Sequence, residues 1–131
     1  MSPVRLYIIE QHPLVCQALV RRLDAEPSIA VVGAACELCH GVDEAQRLAP
    51  DIVLLASNSN SREDTLATIQ AICLLREGSA PGIILLAAYL DEREREQALA
   101  VGAQRYLLKD IDTPGLVREI ELVSRARSVT T

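Results

Sequence analysis

Apolar and polar positions along this chain follow two different periods, one typical of strands and one typical of helices. Five short runs rich in Val, Ile and Leu predict β-strands, at about 4–9, 29–35, 52–56, 83–88 and 105–108. In the intervening segments apolar residues recur every three or four positions, which predicts helices, at about 13–25, 41–48, 64–76, 91–101 and 114–125. Five strands therefore alternate with five helices.

The alternation predicts an α/β fold with a doubly wound parallel sheet. Consecutive strands joined by helical crossovers lie parallel, and right-handed crossovers place helices on both faces of the sheet. The segment 52–56 has no polar residue, as is typical of a strand buried on both faces. Ligand crevices of such sheets lie beyond the carboxyl ends of the strands, so we expect functional residues at 10–12, 56–61, 87–89 and 109–110.

Length and composition indicate one domain without a membrane span. The chain has 131 residues, of which 50% are hydrophobic, enough to close one core. We expect this domain at 1–125 and a flexible tail or linker start at 126–131. Its apolar runs are far shorter than the roughly 20 residues needed to cross a bilayer, and its first residues do not resemble a secretory signal. We therefore expect a cytoplasmic protein.

Charge and aromatic content argue against direct nucleic-acid binding by this domain. The formal net charge is −5, and the chain has three Tyr but no Phe or Trp. A negative surface repels phosphate backbones, and few aromatic rings are available to stack on bases. At the expected crevice, no nucleophile is accompanied by a base, so we expect neither an enzyme nor a small-molecule substrate.

Three separated segments carry a family resemblance. They are Ile-Ile-Glu-Gln-His-Pro at 8–13, Pro-Asp-Ile-Val-Leu-Leu at 50–55, and Gly-Ala-Gln-Arg-Tyr-Leu-Leu-Lys-Asp at 102–110. In this order they resemble the receiver domains of two-component response regulators, particularly the NarL-type branch. The resemblance implies the flavodoxin-like strand order 2-1-3-4-5 and a role in phosphorelay signal transduction.

The family's phosphorylation residues are only partly retained. Its phosphoacceptor Asp, directly after the third strand, corresponds to Ala56, and its hydroxyl residue at the end of the fourth strand corresponds to Ala87. Of the acidic pair that holds magnesium, Glu10 remains but the next residue is Gln11. A methyl group cannot attack phosphorus, and one carboxylate is a poor magnesium site. We therefore expect an aspartate-less pseudo-receiver that neither accepts a phosphoryl group nor binds magnesium well.

Two further residues match the family. Lys109 corresponds to the lysine that pairs with the phosphoryl group, so two interpretations stay open: an ion pair with Glu10, or two solvated side chains. Tyr106 corresponds to the switch aromatic; because Ala87 leaves space, we hypothesise that Tyr106 lies inward without phosphorylation, although an ordinary half-exposed Tyr fits the sequence equally well. Together these residues predict a module that acts through a protein partner or as a homodimer, including in transcription regulation.

A second interpretation rests on Cys36-Glu37-Leu38-Cys39-His40. This sequence matches the Cys-x-x-Cys-His pattern of c-type haem attachment, and Cys36, Cys39 and His40 could alternatively serve a redox or metal sensor on the same fold. The pattern is short, and two ordinary thiols near a helix start explain it as well. We expect no cofactor and no metal as the primary outcome.

Overall fold

The computed structural model describes residues 2–57, 62–75 and 80–129, with side chains described up to residue 127. The strands are β1 (Val4–Ile9), β2 (Ile29–Ala35), β3 (Ile52–Ala56), β4 (Gly82–Ala87) and β5 (Arg105–Leu108). The helices are α1 (Pro13–Asp24), α2 (Leu38–Leu48), α3 (Arg62–Cys73), α4 (Glu92–Val101) and α5 (Thr113–Val129).

The five strands form one parallel sheet in the order β2-β1-β3-β4-β5, which confirms the predicted fold class. Parallel pairing with helical crossovers buries both faces of the central strands. Accordingly, every residue of β3 and of β4 is buried. The sheet thus holds the residues that follow its strands in fixed positions.

Two hydrophobic clusters lie on opposite faces of the sheet. The first joins the sheet to α1 and α5 and includes Cys16, Leu19, Leu23, Leu116, Ile120 and Val123. The second joins it to α2, α3 and α4 and includes Ala45, Ile69, Ile72 and Ala98. No helix within the described ranges is long and apolar enough to span a bilayer.

Some predicted boundaries are wrong. Helix α2 begins at Leu38 rather than at Gly41, because Gly41 is a packed position inside the helix: a Cβ there would lie 2.8 Å from Cδ1 of Ile9. Helix α5 continues to Val129 rather than ending at residue 125, and the expected flexible tail or linker start at 126–131 stays a prediction. Helix α3 spans Arg62–Cys73, and the predicted end at residue 76 lies outside the described residues.

Candidate functional site

The carboxyl ends of β1, β3, β4 and β5 lie along one edge of the sheet. The register pairs Ile9 with Leu55 and Ala87 with Leu108. Glu10 therefore follows β1 beside the end of β3, and Lys109 follows β5 beside the end of β4. The backbone N–H of Lys109 donates to the carbonyl of Ala87 over 2.8 Å, which fixes this corner.

Glu10 is a buried carboxylate with two partners. Only 4% of the residue is exposed. Its Oε1 accepts a hydrogen bond from the backbone N–H of His12 over 3.0 Å, and its Oε2 lies 3.0 Å from Nζ of Lys109. Buried carboxylates are stable only when paired in this way. Of the two interpretations left open by the sequence, the structure shows the ion pair.

The ion pair extends across the crevice. Strands β3 and β4 lie between β1 and β5, and three spacings of about 4.8 Å separate the outer two by about 14 Å. The Lys109 and Glu10 side chains must therefore reach toward each other across the carboxyl ends of β3 and β4. Those ends carry Ala56, which is 3% exposed, and Ala87, which is 1% exposed.

Ala56 and Ala87 give the floor of the crevice a chemistry different from that of its walls. Each is the last residue of its strand, and each contributes a methyl group with neither a lone pair nor an ionisable proton. The walls, in contrast, carry the paired charges of Glu10 and Lys109. This floor has no group that could form a bond to phosphorus.

Gln11 follows Glu10 in the chain. It lines a groove of about 610 Å³ between α2 and α3, together with residues that include Cys36, Cys39 and Asp64. Within the described ranges, no group of three or more His, Cys, Asp or Glu side chains is arranged to hold a metal ion.

Tyr106 is half-buried and packs against the second cluster. Its hydroxyl donates to Oε1 of Glu94 over 2.9 Å, with the carbonyl of Tyr89 as a further acceptor at 3.3 Å. It also accepts from the backbone N–H of Asp91 over 3.3 Å. Burial, reinforced by the hydrogen bond with Glu94, raises the pKa of Tyr106 to about 12. The ring is thereby joined to the start of α4.

An ion pair between Arg62 and Asp91 also reaches the start of α4. Asp91 is the N-cap of this helix, and its side chain accepts from the backbone N–H groups of Arg93 and Glu94. A small cavity of about 40 Å³ lies beside the pair and is lined by residues that include Ser57 and Ala87. Sequence reasoning missed Arg62, because its position beside Asp91 depends on how α3 packs against α4.

The two cysteines and the histidine of the haem-like pattern have different surroundings. Cys36 and Cys39 are exposed and line the groove between α2 and α3. His40 lies on α2 with its Nε2 3.9 Å from Oε1 of Glu44. The expectation of no cofactor and the alternative of a redox, haem or metal sensor both stay untested predictions, and an absorption spectrum in the Soret region with a metal assay would distinguish them.

Comparison with known proteins identifies similar chains. Residues 6–121 match the family described as "Response regulator receiver domain". The chain is 33% identical over 122 residues to the transcriptional regulatory protein LiaR of Bacillus subtilis, covering 93% of this chain and 56% of LiaR. It is 28% identical over 129 residues to the nitrate/nitrite response regulator NarL of Escherichia coli, covering 98% and 58%.

A solved structure agrees with these matches. The signal receiver domain of the putative response regulator NarL from Mycobacterium tuberculosis superposes with a TM-score of 0.85 at 25% identity, covering 95% of this chain and 98% of that one. In contrast, the chain spans little more than half the length of the curated relatives LiaR and NarL.

Proposed function

This chain belongs to the response regulator receiver domain family, and from that premise we propose that it is a pseudo-receiver that signals without being phosphorylated. In this proposal the domain presents one fixed surface to a protein partner or to a second copy of itself. Receiver domains are signalling modules rather than metabolic enzymes, and the proposal assigns this chain no catalytic step and no magnesium.

The ion pair between Lys109 and Glu10 is the observation that carries the proposal. Its two atoms lie 3.0 Å apart, and 29% of the lysine side chain and 6% of the glutamate side chain are exposed. Each charge is therefore already neutralised by the other, so the crevice needs no phosphoryl group to balance Lys109. An incoming anion would have to compete with a carboxylate that is almost completely buried.

Tyr106 supplies the proposed link from the crevice to the surface. Its hydroxyl is joined to Glu94 of α4, and Glu94 is itself only 6% exposed. Turning the ring away would leave this buried carboxylate without that donor, which is costly. We therefore infer that α4 and the loop before it keep one arrangement, and that the inward position hypothesised for Tyr106 is permanent.

Exposed apolar side chains support a role in protein contact. Tyr89 and Leu90 precede α4 with 62% and 58% of their surface exposed, and Leu14 at the start of α1 is 69% exposed. Such side chains are common on contact surfaces, although scattered ones also occur on monomers. We propose a homodimer, and regulation of transcription through an output domain on the same or another chain, because the LiaR match is called a transcriptional regulatory protein.

Self-association measured with and without a phosphodonor tests this function. Sedimentation velocity over a wide concentration range should show a monomer–dimer equilibrium whose constant is unchanged by acetyl phosphate and magnesium. Matched variants Leu14→Glu and Leu90→Glu place one charge on each candidate surface, and the variant that weakens association identifies the interface. Dimerisation that appears only with the phosphodonor would contradict the proposal.

A further inference from the structure

The groove of about 610 Å³ between α2 and α3 is lined by one face of each helix. Residues three or four positions apart share a helix face, and the lining residues have this spacing. Helix α2 contributes Leu38, Cys39, Val42 and Asp43, and helix α3 contributes Asp64, Ala67, Thr68 and Ala71. The seven steps from 64 to 71, at about 1.5 Å each, extend over about 10 Å. The groove is therefore about two helical turns long.

Several lining residues of the groove are apolar and are not fully used by the core. They are Leu38, Val42, Ala67 and Ala71. Helix α3 reaches the core through Ile69 and Ile72, whereas Ala67 is exposed and Ala71 is half-buried. Because alanine side chains are short, this part of α3 leaves room for larger apolar side chains from another molecule. Apolar walls with a few polar groups around them are typical of binding sites.

The charged residues of the groove all have the same sign. They are Glu37, Asp43 and Asp64, and no Lys, Arg or His is among the described lining residues. All three carboxylates are exposed, and none forms an ion pair with a residue in the described part of the chain. A concave surface lined by one sign of charge attracts groups of the opposite sign. The groove therefore favours a cationic occupant.

We propose that this groove binds a basic amphipathic helix of a partner protein. Its apolar side chains enter between α2 and α3, and its Lys or Arg side chains pair with Glu37, Asp43 and Asp64. Apolar anchors at i, i+3 or i+4, and i+7 of a helix extend over about 10 Å, which is the length of the α3 face. An extended peptide is less suited, because both walls are helices and offer no strand edge for backbone hydrogen bonds.

The groove adjoins the crevice through two neighbouring segments. The backbone N–H of Glu10 donates to the carbonyl of Ala35 over 3.0 Å. The residues that follow these two in the chain, Gln11 and Cys36, both line the groove. A helix bound there would contact both segments next to the Glu10 ion pair. The inference rests on the proposed function, because it names the kind of partner that a domain acting by protein contact would receive.

Fluorescence anisotropy with a synthetic peptide tests the proposal. The probe is a labelled helical peptide of about 14 residues, with Leu at i, i+4 and i+7 and Lys on the flanking positions. We expect saturable binding with a Kd of about 1–100 μM, as is typical of a small interface. The same peptide with Glu in place of Lys should bind at least about tenfold more weakly. In ¹⁵N-labelled protein, the largest shift changes should fall on 36–43 and 64–71.

Matched charge variants separate the groove from general attraction to an acidic protein. Asp43→Asn combined with Asp64→Asn should weaken binding of the Lys peptide about fivefold, since each exposed pair contributes modestly. Glu92→Gln combined with Glu96→Gln removes the same charge from exposed positions of α4 and should change the Kd by less than about twofold.

A second pair of variants tests the space in the groove. Ala67→Arg places a long cationic side chain in it and should weaken binding at least about tenfold. Ala100→Arg makes the same change at an exposed position of α4 and should leave binding within about twofold. Circular dichroism checks the folding of each variant. If a groove variant unfolds, alkylation of the wild type decides: bound peptide should slow the reaction of the exposed Cys36 and Cys39 with iodoacetamide several-fold.

Three results would overturn the proposal. They are no saturable binding at about 1 mM peptide, equal binding of the Lys and Glu peptides, and equal losses of affinity in the groove variants and their α4 controls. Any of these would leave the pseudo-receiver proposal standing, because that proposal is tested by phosphoryl transfer and by self-association. Conversely, phosphorylation of the wild type would refute the pseudo-receiver without removing peptide binding to the groove.

Discussion

Removing the charge of Lys109 should destabilise the domain far more than removing an exposed charge. At 3.0 Å and an effective dielectric constant of about 20, the attraction between the two charges is about 5 kcal/mol. The hydration lost by the nearly buried Glu10 offsets half or more of this energy. We therefore expect a net interaction of about 2 kcal/mol, well above the 0–1 kcal/mol typical of surface pairs.

A double-mutant cycle measures this interaction. The variants are Glu10→Gln, Lys109→Met and the two combined; methionine keeps most of the apolar stem of the lysine. Urea unfolding gives the free energy of unfolding of each protein, and the coupling energy is the non-additive part. At about 2.1 cal/mol/K per residue for 131 residues, a loss of 2 kcal/mol lowers Tm by about 7 °C.

The chain offers a control pair of similar chemistry. Arg95 and Glu92 on α4 are 3.5 Å apart, but their side chains are 47% and 64% exposed. The equivalent cycle, with Arg95→Met and Glu92→Gln, should give about 0.5 kcal/mol or less. If both cycles give the same small coupling, Lys109 and Glu10 are effectively solvated in solution and the reasoning about the crevice is refuted.

Three further predictions concern α4 and its neighbours. Tyr106→Phe should lower the free energy of unfolding by about 1–2 kcal/mol, because it removes the hydroxyl that donates to the buried Glu94; a change below about 0.3 kcal/mol in urea unfolding would count against the contact. The folded-state pKa of Tyr106 is raised from 10.0 to about 12, so its contribution to stability is complete below pH 10 and is lost as pH rises toward 12. The free energy of unfolding of Tyr106→Phe, measured as a function of pH, should therefore fall less steeply over that range than that of the wild type. Gly102→Ala should lower the free energy of unfolding by about 1–3 kcal/mol or more, because φ at residue 102 is +133° and the added Cβ would collide with the Cys73 sulfur. An unchanged Tm would contradict this.

The fold was predictable because the two central strands, β3 and β4, keep their apolar character along their whole length. The segments 52–56 and 83–87 are buried throughout, so a simple hydrophobic run identified them. Helix α2 was harder, since Gly41 resembles a helix boundary in sequence but is packed against Ile9 inside the helix. The end of α5 was missed because polar residues near a terminus resemble a loop.

The candidate site was only partly predictable. Positions at strand ends follow from the parallel topology, so Glu10, Ala56 and Lys109 could be named from sequence. Whether two charged side chains pair or stay solvated depends on packing, so the sequence left the ion pair between Lys109 and Glu10 undecided. The ion pair of Arg62 with Asp91 joins residues 29 positions apart and had no local sequence signal.

Phosphoryl transfer to the purified domain is the most direct test of the central claim. The protein is incubated with acetyl phosphate and magnesium, and its intact mass is measured under conditions that preserve acyl phosphates. We predict no added phosphoryl mass for the wild type, while the variant with Gln11→Asp, Ala56→Asp and Ala87→Ser together serves as the gain-of-function comparison. A phosphoryl group found on the wild-type crevice, lost on mild hydrolysis and dependent on magnesium, would contradict the account.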